Sequence, residues 1–397
     1  MTDFAKTREF FHLPEGMTYL DGNSLGPLPK TAMDRLRHVA EEEWGTMVIG
    51  GWNRAGWMAA PSVLGDRVGG LIGAATGTTV LGDTLSIKVF QAVSAACQLR
   101  PDRKVVLSDT GNFPSDLYMA DGLMSLLGEG FELRLVNPED VAEAIGPDIA
   151  CTLLTEVDYR TGRRHDMAAL TKRAHDAGAL AVWDLAHSAG ALPVDVQATR
   201  VDFAVGCTYK YLNGGPGAPA FIYVAPAHID QIRPTLAGWL GHAAPFDFEL
   251  DYRAGGGIER MRVGTPPIVQ MAALEAALAI WDDVNIEDVR RKSLELGDLF
   301  IEEVTKRCPE VTLVTPRSHA ERGSHVCFSH PAGYAVMQAL IARQVIGDFR
   351  APNILRFGIT PLFVGEAEII TAAQTLEDIL ETKAWDRPDF HQRARVT

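Results

Sequence analysis

The sequence lacks the features that mark a membrane protein, a disulfide-stapled module or a nucleic-acid binder. No run approaches the roughly 18 apolar residues that a bilayer-spanning helix needs, and the opening "MTDFAKTREFFHLPEG" has no apolar signal core. Cysteine is scarce. The five present, Cys97, Cys151, Cys207, Cys308 and Cys327, are odd in number and form no CxxC pair, so neither a disulfide framework nor a metal site is expected. A reducing cytoplasm is the expected location. Basic side chains are outnumbered, 37 against 51 acidic ones, for a net charge of −14, which argues against nucleic acid or an anionic membrane as partner. Neither GxGxxG nor GxxxxGK[ST] occurs, so a nucleotide site gains no support.

What is present suits a soluble globular chain of two or three domains: 397 residues, 47% hydrophobic and 22% charged, with no internal repeat. From about 79 to 224, short apolar runs alternate with helical patterns. Strands are predicted at 105–107, 132–136, 149–154, 179–184, 203–206 and 220–225, and helices at 115–128 and 166–178. That alternation means βαβ units and a mostly parallel sheet covered on both faces. A helix is also predicted over 29–45. Beyond 266 the pattern changes to long helices at 266–284 and 286–307. Short strands follow at 311–315, 324–330 and 354–359, with helices near 335–345 and 366–385. The expected architecture is a large α/β domain over 51–283 and a smaller α+β domain built from both chain ends, 1–50 and 284–397.

Ligands of open α/β sheets sit beyond the carboxyl ends of the strands, and four predicted strand ends carry reactive side chains. Asp184, in "AVWDLAHSAG", either caps the next helix or pairs with a protonated ring nitrogen, which would make that ring an electron sink. Phe113 and Asp116, in "VLSDTGNFPSD", read either as a helix start with a core aromatic or as a face on which a cofactor ring stacks. Thr84 and Ser86, in "VLGDTLSIKVF", are either plain caps or part of a phosphate cradle at a helix N-terminus. Lys210, in "CTYKYLNGGPGAP", is either a solvated loop cation or the anchor of a carbonyl cofactor. Phosphate cradle, stacking ring, carboxylate and lysine together point to pyridoxal 5'-phosphate.

These residues carry a resemblance. "YLDGNSLGPLP" (19–29), "FPSD" (113–116), "DLAHSAGALPVD" (184–195), "TYKYLNGGPG" (208–217) and "GWLGH" (238–242) are similar to the corresponding segments of the kynureninase family, over nearly the whole chain. The resemblance implies the pyridoxal-phosphate fold-type I architecture of the class V-like enzymes and a homodimer with interfacial active sites. It also implies hydrolysis of L-kynurenine, with its 3-hydroxy analogue as a second candidate, to anthranilate and L-alanine in tryptophan catabolism. Position by position, it makes Lys210 the Schiff-base lysine, with Asp184, helped by Asp116, on the pyridine nitrogen and Phe113 on the ring. Leu85, Ser86, Tyr209, Trp239 and Thr265 would surround the phosphate, Thr265 from either subunit. Thr155 and His187 would lie near the ring. Arg356 would take the substrate carboxylate, while Asn23 and Ser24 close over the substrate, and Tyr209 is the candidate proton donor to Cβ.

Two rivals stand beside this reading. A class V aminotransferase or cysteine desulfurase would keep the cofactor, but a desulfurase needs a mobile thiolate and Cys327 falls in a predicted strand. A silent α/β binding protein would need neither Lys210 nor Asp184.

Overall fold

In the computed structural model, which describes residues 1–393, the predicted alternation becomes a seven-stranded sheet. Its strands are Thr79–Leu81 (β1), Val105–Asp109 (β2), Glu132–Val136 (β3), Ile149–Thr155 (β4), Leu180–Asp184 (β5), Phe203–Gly206 (β6) and Phe221–Val224 (β7). They lie in the order β1-β7-β6-β5-β4-β2-β3. β7 runs antiparallel to β1 and β6, and the remaining pairs are parallel. Every residue of β2, β4, β5, β6 and β7 is buried, as continuous apolar runs require when helices cover both faces. β3, at the edge, is half exposed. The fold class is the one expected.

The register decides where the chemistry can sit. Thr155 pairs with Asp184, and Asp184 with Val205, so the carboxyl ends of β4, β5 and β6 are level. The antiparallel β7 starts at that same end, with Phe221 opposite both Gly206 and Leu81. The turn after Leu81 therefore opens on the crevice that Asp184 faces.

The second sheet is small and wholly antiparallel: Thr312–Leu313 (β8), His325–Ser329 (β9), Asp348–Arg350 (β10) and Ile354–Gly358 (β11), in the order β8-β9-β11-β10. Helices Ile286–Arg307 and Gly333–Ala342 pack on it, and Glu366–Glu381 packs on those two helices. The N-terminal segment ties the two sheets together. Thr18–Tyr19 pairs in parallel with Val345–Ile346, the Gly358 amide donates to the Leu20 carbonyl (2.7 Å), and the Gly26 amide donates to the Tyr209 carbonyl (2.8 Å).

Several helix ends differ from expectation. The helix predicted at 29–45 is α-helical only over Lys30–His38, then widens into a π-turn over Val39–Trp44. The one predicted at 335–345 stops at Ala342, because Val345 and Ile346 are drawn into pairing with Thr18–Tyr19. Among the described residues no helix is long and apolar enough to cross a membrane.

Candidate active site

Lys210 lies at the carboxyl edge of the large sheet, four residues past β6. Its Nζ is 3.0 Å from His187 Nε2 and 5.8 Å from the centre of the Tyr209 ring. Burial, then the positive charge of Lys210, holds the His187 imidazole well below its ordinary pKa. The ring is thus neutral and free to accept from the ammonium. Two residues beyond the end of β5, the backbone NH of Ala186 donates to Asp184 Oδ1 at 2.8 Å. Asp184 and Asp116 face one another in full burial. Burial raises Asp184 to about 6 against the pull of Lys210, while burial and the Asp184 charge push Asp116 much higher. Asp116 therefore carries the proton of the pair and Asp184 the charge. Among the described residues neither Asp116 oxygen has a hydrogen-bond partner outside the pair, so the pair has unmet demand for an N–H donor or cation.

Two adjoining cavities share Leu85, Phe113 and Tyr209 as walls. The smaller, about 150 Å³, holds Lys210, His187, Asp184 and Thr155 at one side and Ser24, Tyr159, Arg350 and Arg356 at the other. The larger, about 300 Å³, is bounded by Thr84, Leu85, Ser86, Ser115 and Asp116. Its wall is the N-terminus of the 15-residue helix Leu85–Leu99, whose cap residue Thr84 makes no side-chain hydrogen bond to the first turn. Ser86 and Ser115 join hydroxyls at 2.9 Å. First-turn amides with two serine hydroxyls favour a phosphate. Phe113 stands between the cavities, 41% exposed and edge-on to Tyr159 at 5.0 Å. An unpaired acidic couple, a lysine, an exposed ring and a phosphate cradle together fit pyridoxal 5'-phosphate.

At the far wall Arg356 is buried and clamped. Asp348 lies opposite it in the β10–β11 register, accepts from its Nε at 2.7 Å and also pairs with its Nη2. Nη1 donates to the Tyr159 carbonyl (2.6 Å), and Nη2 to the Ser24 hydroxyl (2.8 Å). The forked cation is held planar at the cavity edge, a geometry suited to a carboxylate.

The structure thus brings together Lys210, Tyr209, Asp184, Asp116, His187, Phe113, Leu85, Ser86, Thr155, Ser24 and Arg356. It does not bring in three others. Asn23 is fully buried behind the cavity, its amide against Gly358. Thr265 lines a third cavity of about 270 Å³, reached past Asp83, Thr84 and Gly217, which also border the second. Trp239 is 42% exposed and packs edge-on against Phe246 at 5.8 Å. Thr155 spends its hydroxyl on the Val157 carbonyl (3.3 Å). Sequence reading missed Ser115, Tyr159, Asp348, Arg350 and Asp21. The alternating polar pattern of "DFRAPNILRF", two strands about a proline turn, was the available signal for Asp348 and Arg350.

Cys327 lies in β9 opposite Arg356, wholly buried, and burial pushes its thiol up to about 12. It cannot serve as the mobile thiolate of a desulfurase.

Comparison with known proteins agrees with the geometry. Residues 289–376 match the kynureninase C-terminal domain family. The chain is 50% identical to a kynureninase of Pseudomonas fluorescens and 49% identical to one of Burkholderia pseudomallei, each over 99% of this chain and 96% of the relative. Among solved structures it is similar to a C-DES mutant with glycine covalently linked to its PLP cofactor (TM-score 0.81, 18% identity, 94% of this chain and 99% of that one). It is also similar to a cysteine desulfurase of Thermococcus onnurineus (TM-score 0.81, 20% identity, 95% and 98%). At those identities the structures speak for the fold alone.

Proposed function

The chain belongs to the kynureninase family, and from that membership and its site we infer a pyridoxal-phosphate-dependent hydrolase that cleaves the Cβ–Cγ bond of L-kynurenine to give anthranilate and L-alanine. The observation that carries the reading is Lys210 set between neutral His187 and the buried Asp184–Asp116 pair, with a clamped arginine across the same cavity. Asp184 and Asp116 would hold the pyridine nitrogen, Phe113 the ring face, and Leu85, Ser86 and Ser115 the phosphate. When bound, pyridoxal phosphate would supply a carbonyl for the substrate amine and an electron sink for charge that develops at Cα and then at Cβ.

The rest falls to the chain's own side chains. Arg356 Nη1, which keeps one hydrogen free beside its bond to the Tyr159 carbonyl, and Arg350 on the same wall hold the substrate carboxylate and set the amino acid's orientation, leaving the aryl ketone toward Phe113 and Tyr159. Lys210 Nζ, once displaced by the substrate amine, is placed to take the Cα proton, and His187 Nε2 keeps it directed inward. The neighbouring Cys207 and burial both raise the Tyr209 phenol, so its proton stays on oxygen until Cβ needs it. Water then adds to the γ-carbonyl carbon, the Cβ–Cγ bond breaks as Cβ takes the Tyr209 proton, and the proton released by the water restores the phenol as anthranilate leaves.

The same reading places the protein in the cytoplasm as a homodimer with interfacial sites. Support comes from apolar side chains that stand exposed on the single chain, among them Trp44, Ile49, Phe246, Phe248 and Leu250, and from Thr265 and Trp239 lying outside the Lys210 cavity. It divides the chain into a large domain, 51–283, and a small one from 1–50 and 284–397. Pairing of Thr18–Tyr19 with Val345–Ile346 supports that division, while Lys30–His38 also packs on Ile268–Ala279.

The test is direct. Purified protein should be yellow, and borohydride should fix the cofactor's mass on the peptide containing Lys210. Kynurenine, its 3-hydroxy analogue and cysteine are then supplied in turn. Release of anthranilate or its hydroxy analogue supports the assignment, whereas sulfide from cysteine with inert kynurenines refutes it.

A further inference from the structure

Around Arg356 the charges balance only while no ligand is bound. Asp348 pairs with Arg356 and, at 2.6 Å, with Arg350. Ser24 donates its hydroxyl to Asp348 (2.6 Å) and accepts from Arg356. A second carboxylate, Asp21, faces Asp348, Arg356, Arg350 and Ser24 from the N-terminal segment, and its Oδ1 is buried without a partner. The remaining titratable groups directed at it are the phenols of Tyr19 and Tyr211, both held neutral chiefly by burial. His325, on β9, faces the Arg356–Asp348 pair and is held neutral by burial. Two guanidinium groups thus meet two carboxylates.

A substrate carboxylate would bring three anions against two cations at a wall where Arg356 and Asp348 are already buried. Such an excess is costly unless one anion is neutralised. Asp348 is in direct contact with both arginines and is the wrong candidate. Asp21 has no such contact.

Resting on the assignment of Arg356 as the carboxylate site, we propose that Asp21 takes up a proton from solvent when the substrate carboxylate engages Arg356 and Arg350, making substrate binding proton-coupled. Asp21 is then a positioning residue: it keeps the clamp neutral so that the arginines can hold an anion. Burial and the charge of Asp348 raise the Asp21 carboxyl to about 7, against the pull of Arg356, which leaves it substantially ionised just above neutral pH. A third carboxylate nearby raises it further. By linkage, anion binding weakens as pH rises through and beyond neutral.

The experiment titrates the holoenzyme with 4-(2-aminophenyl)-4-oxobutanoate, which keeps the substrate's carboxylate and aryl ketone but has no amine to react at the cofactor. Calorimetry in buffers of different ionisation enthalpy counts protons. At about pH 8 the wild type should take up most of one proton per site, with Kd rising up to ~10-fold per pH unit above neutral. Asp21→Asn should take up none and show a flat Kd, while Asp21→Glu should retain both effects. Binding without uptake in the wild type, or equal uptake in Asp21→Asn, overturns the role of Asp21 alone. If Asp21→Asn does not fold, the wild-type count still decides. An analogue that does not bind the wild type, or binds Arg356→Ala equally well, overturns the carboxylate site itself.

Discussion

Replacing Gly26 by alanine separates a packing effect from a chemical one. Gly26 lies where the N-terminal segment crosses the loop after Lys210, and its amide donates to the Tyr209 carbonyl at 2.8 Å. A Cβ there would sit 2.6 Å from the Lys210 carbonyl oxygen and 2.6 Å from Asn213 Cα. Comfortable carbon contacts begin at about 3.5 Å, so the segments must part by roughly 1 Å. The Asn213 amide oxygen is closer still and could swing aside, but the Lys210 oxygen and Asn213 Cα are backbone and cannot. Overpacking of this kind costs about 1–3 kcal/mol. The functional loss should be larger than the stability loss suggests, because Ser24 and Asp21 ride on the displaced segment while Lys210 stays on the other. Misplacement of ~1 Å can cost about 100-fold in rate. The assay pairs kcat/KM from anthranilate fluorescence with thermal unfolding, and Gly70→Ala serves as control because nothing lies within 4 Å of its Cβ. A Gly26→Ala enzyme within about twofold of wild-type kcat/KM, at unchanged Tm, would refute the claim that this crossing sets the distance between clamp and lysine.

Asp184→Asn removes the charge proposed to pair with the ring nitrogen and should lower kcat by about 100-fold or more; a loss under tenfold would deny it that role. Arg356→Lys keeps the charge but loses the fork, so KM should rise roughly 10- to 100-fold, the range of one or two charge-assisted hydrogen bonds, with kcat changed less. Burial would raise Asp202, but hydrogen bonds from His175 (2.7 Å), His228 (2.6 Å) and the Ala181 amide outweigh it and lower the carboxyl to about 2. Its stabilisation, ~2 kcal/mol at one pKa unit per 1.36 kcal/mol, is therefore present above about pH 4 and lost as pH falls toward 2. Asp202→Asn should be destabilised at neutral pH with the gap closing in acid, as urea unfolding at several pH values would show.

The parts of the site that were legible in the sequence are those a single strand end can carry. Lys210, Asp184, Phe113 and Ser86 each follow a short apolar run, and an open sheet brings such ends level whatever the details of its packing. Residues that depend on pairing register were not legible. Asp348 becomes the partner of Arg356 only because β10 and β11 pair antiparallel with those two residues opposite, and Arg350 shares that face two residues along. Asp21 and Ser24 are farther still in sequence, and reach the clamp because Thr18–Tyr19 adds to Val345–Ile346. The helix at 335–345 was predicted too long for the same reason: local propensity could not anticipate that its last residues would pair with the distant N-terminal segment.

That distinction bears on how the reaction is specified. The backbone is similar to that of a cysteine desulfurase at a TM-score of 0.81, so the sheet cannot by itself select carbon–carbon cleavage. Selection has to come from side chains around the reacting carbons. Here the thiol nearest the clamp, Cys327, is locked in β9 and pushed up to about 12 by burial, which removes sulfur transfer through that residue. The cavity wall offers instead a protonated phenol, Tyr209, beside Lys210, and an aromatic face made by Phe113 and Tyr159 in edge-on contact. A proton donor is what a departing acyl carbon leaves Cβ needing, and an aromatic face is what an aryl ketone packs on. Moving Cys327 to serine should therefore leave kynurenine hydrolysis intact, whereas Tyr209→Phe should lower kcat by about 100-fold or more with little change in KM. Equal loss in both variants would show that the wall, and not the proton donor, makes the difference.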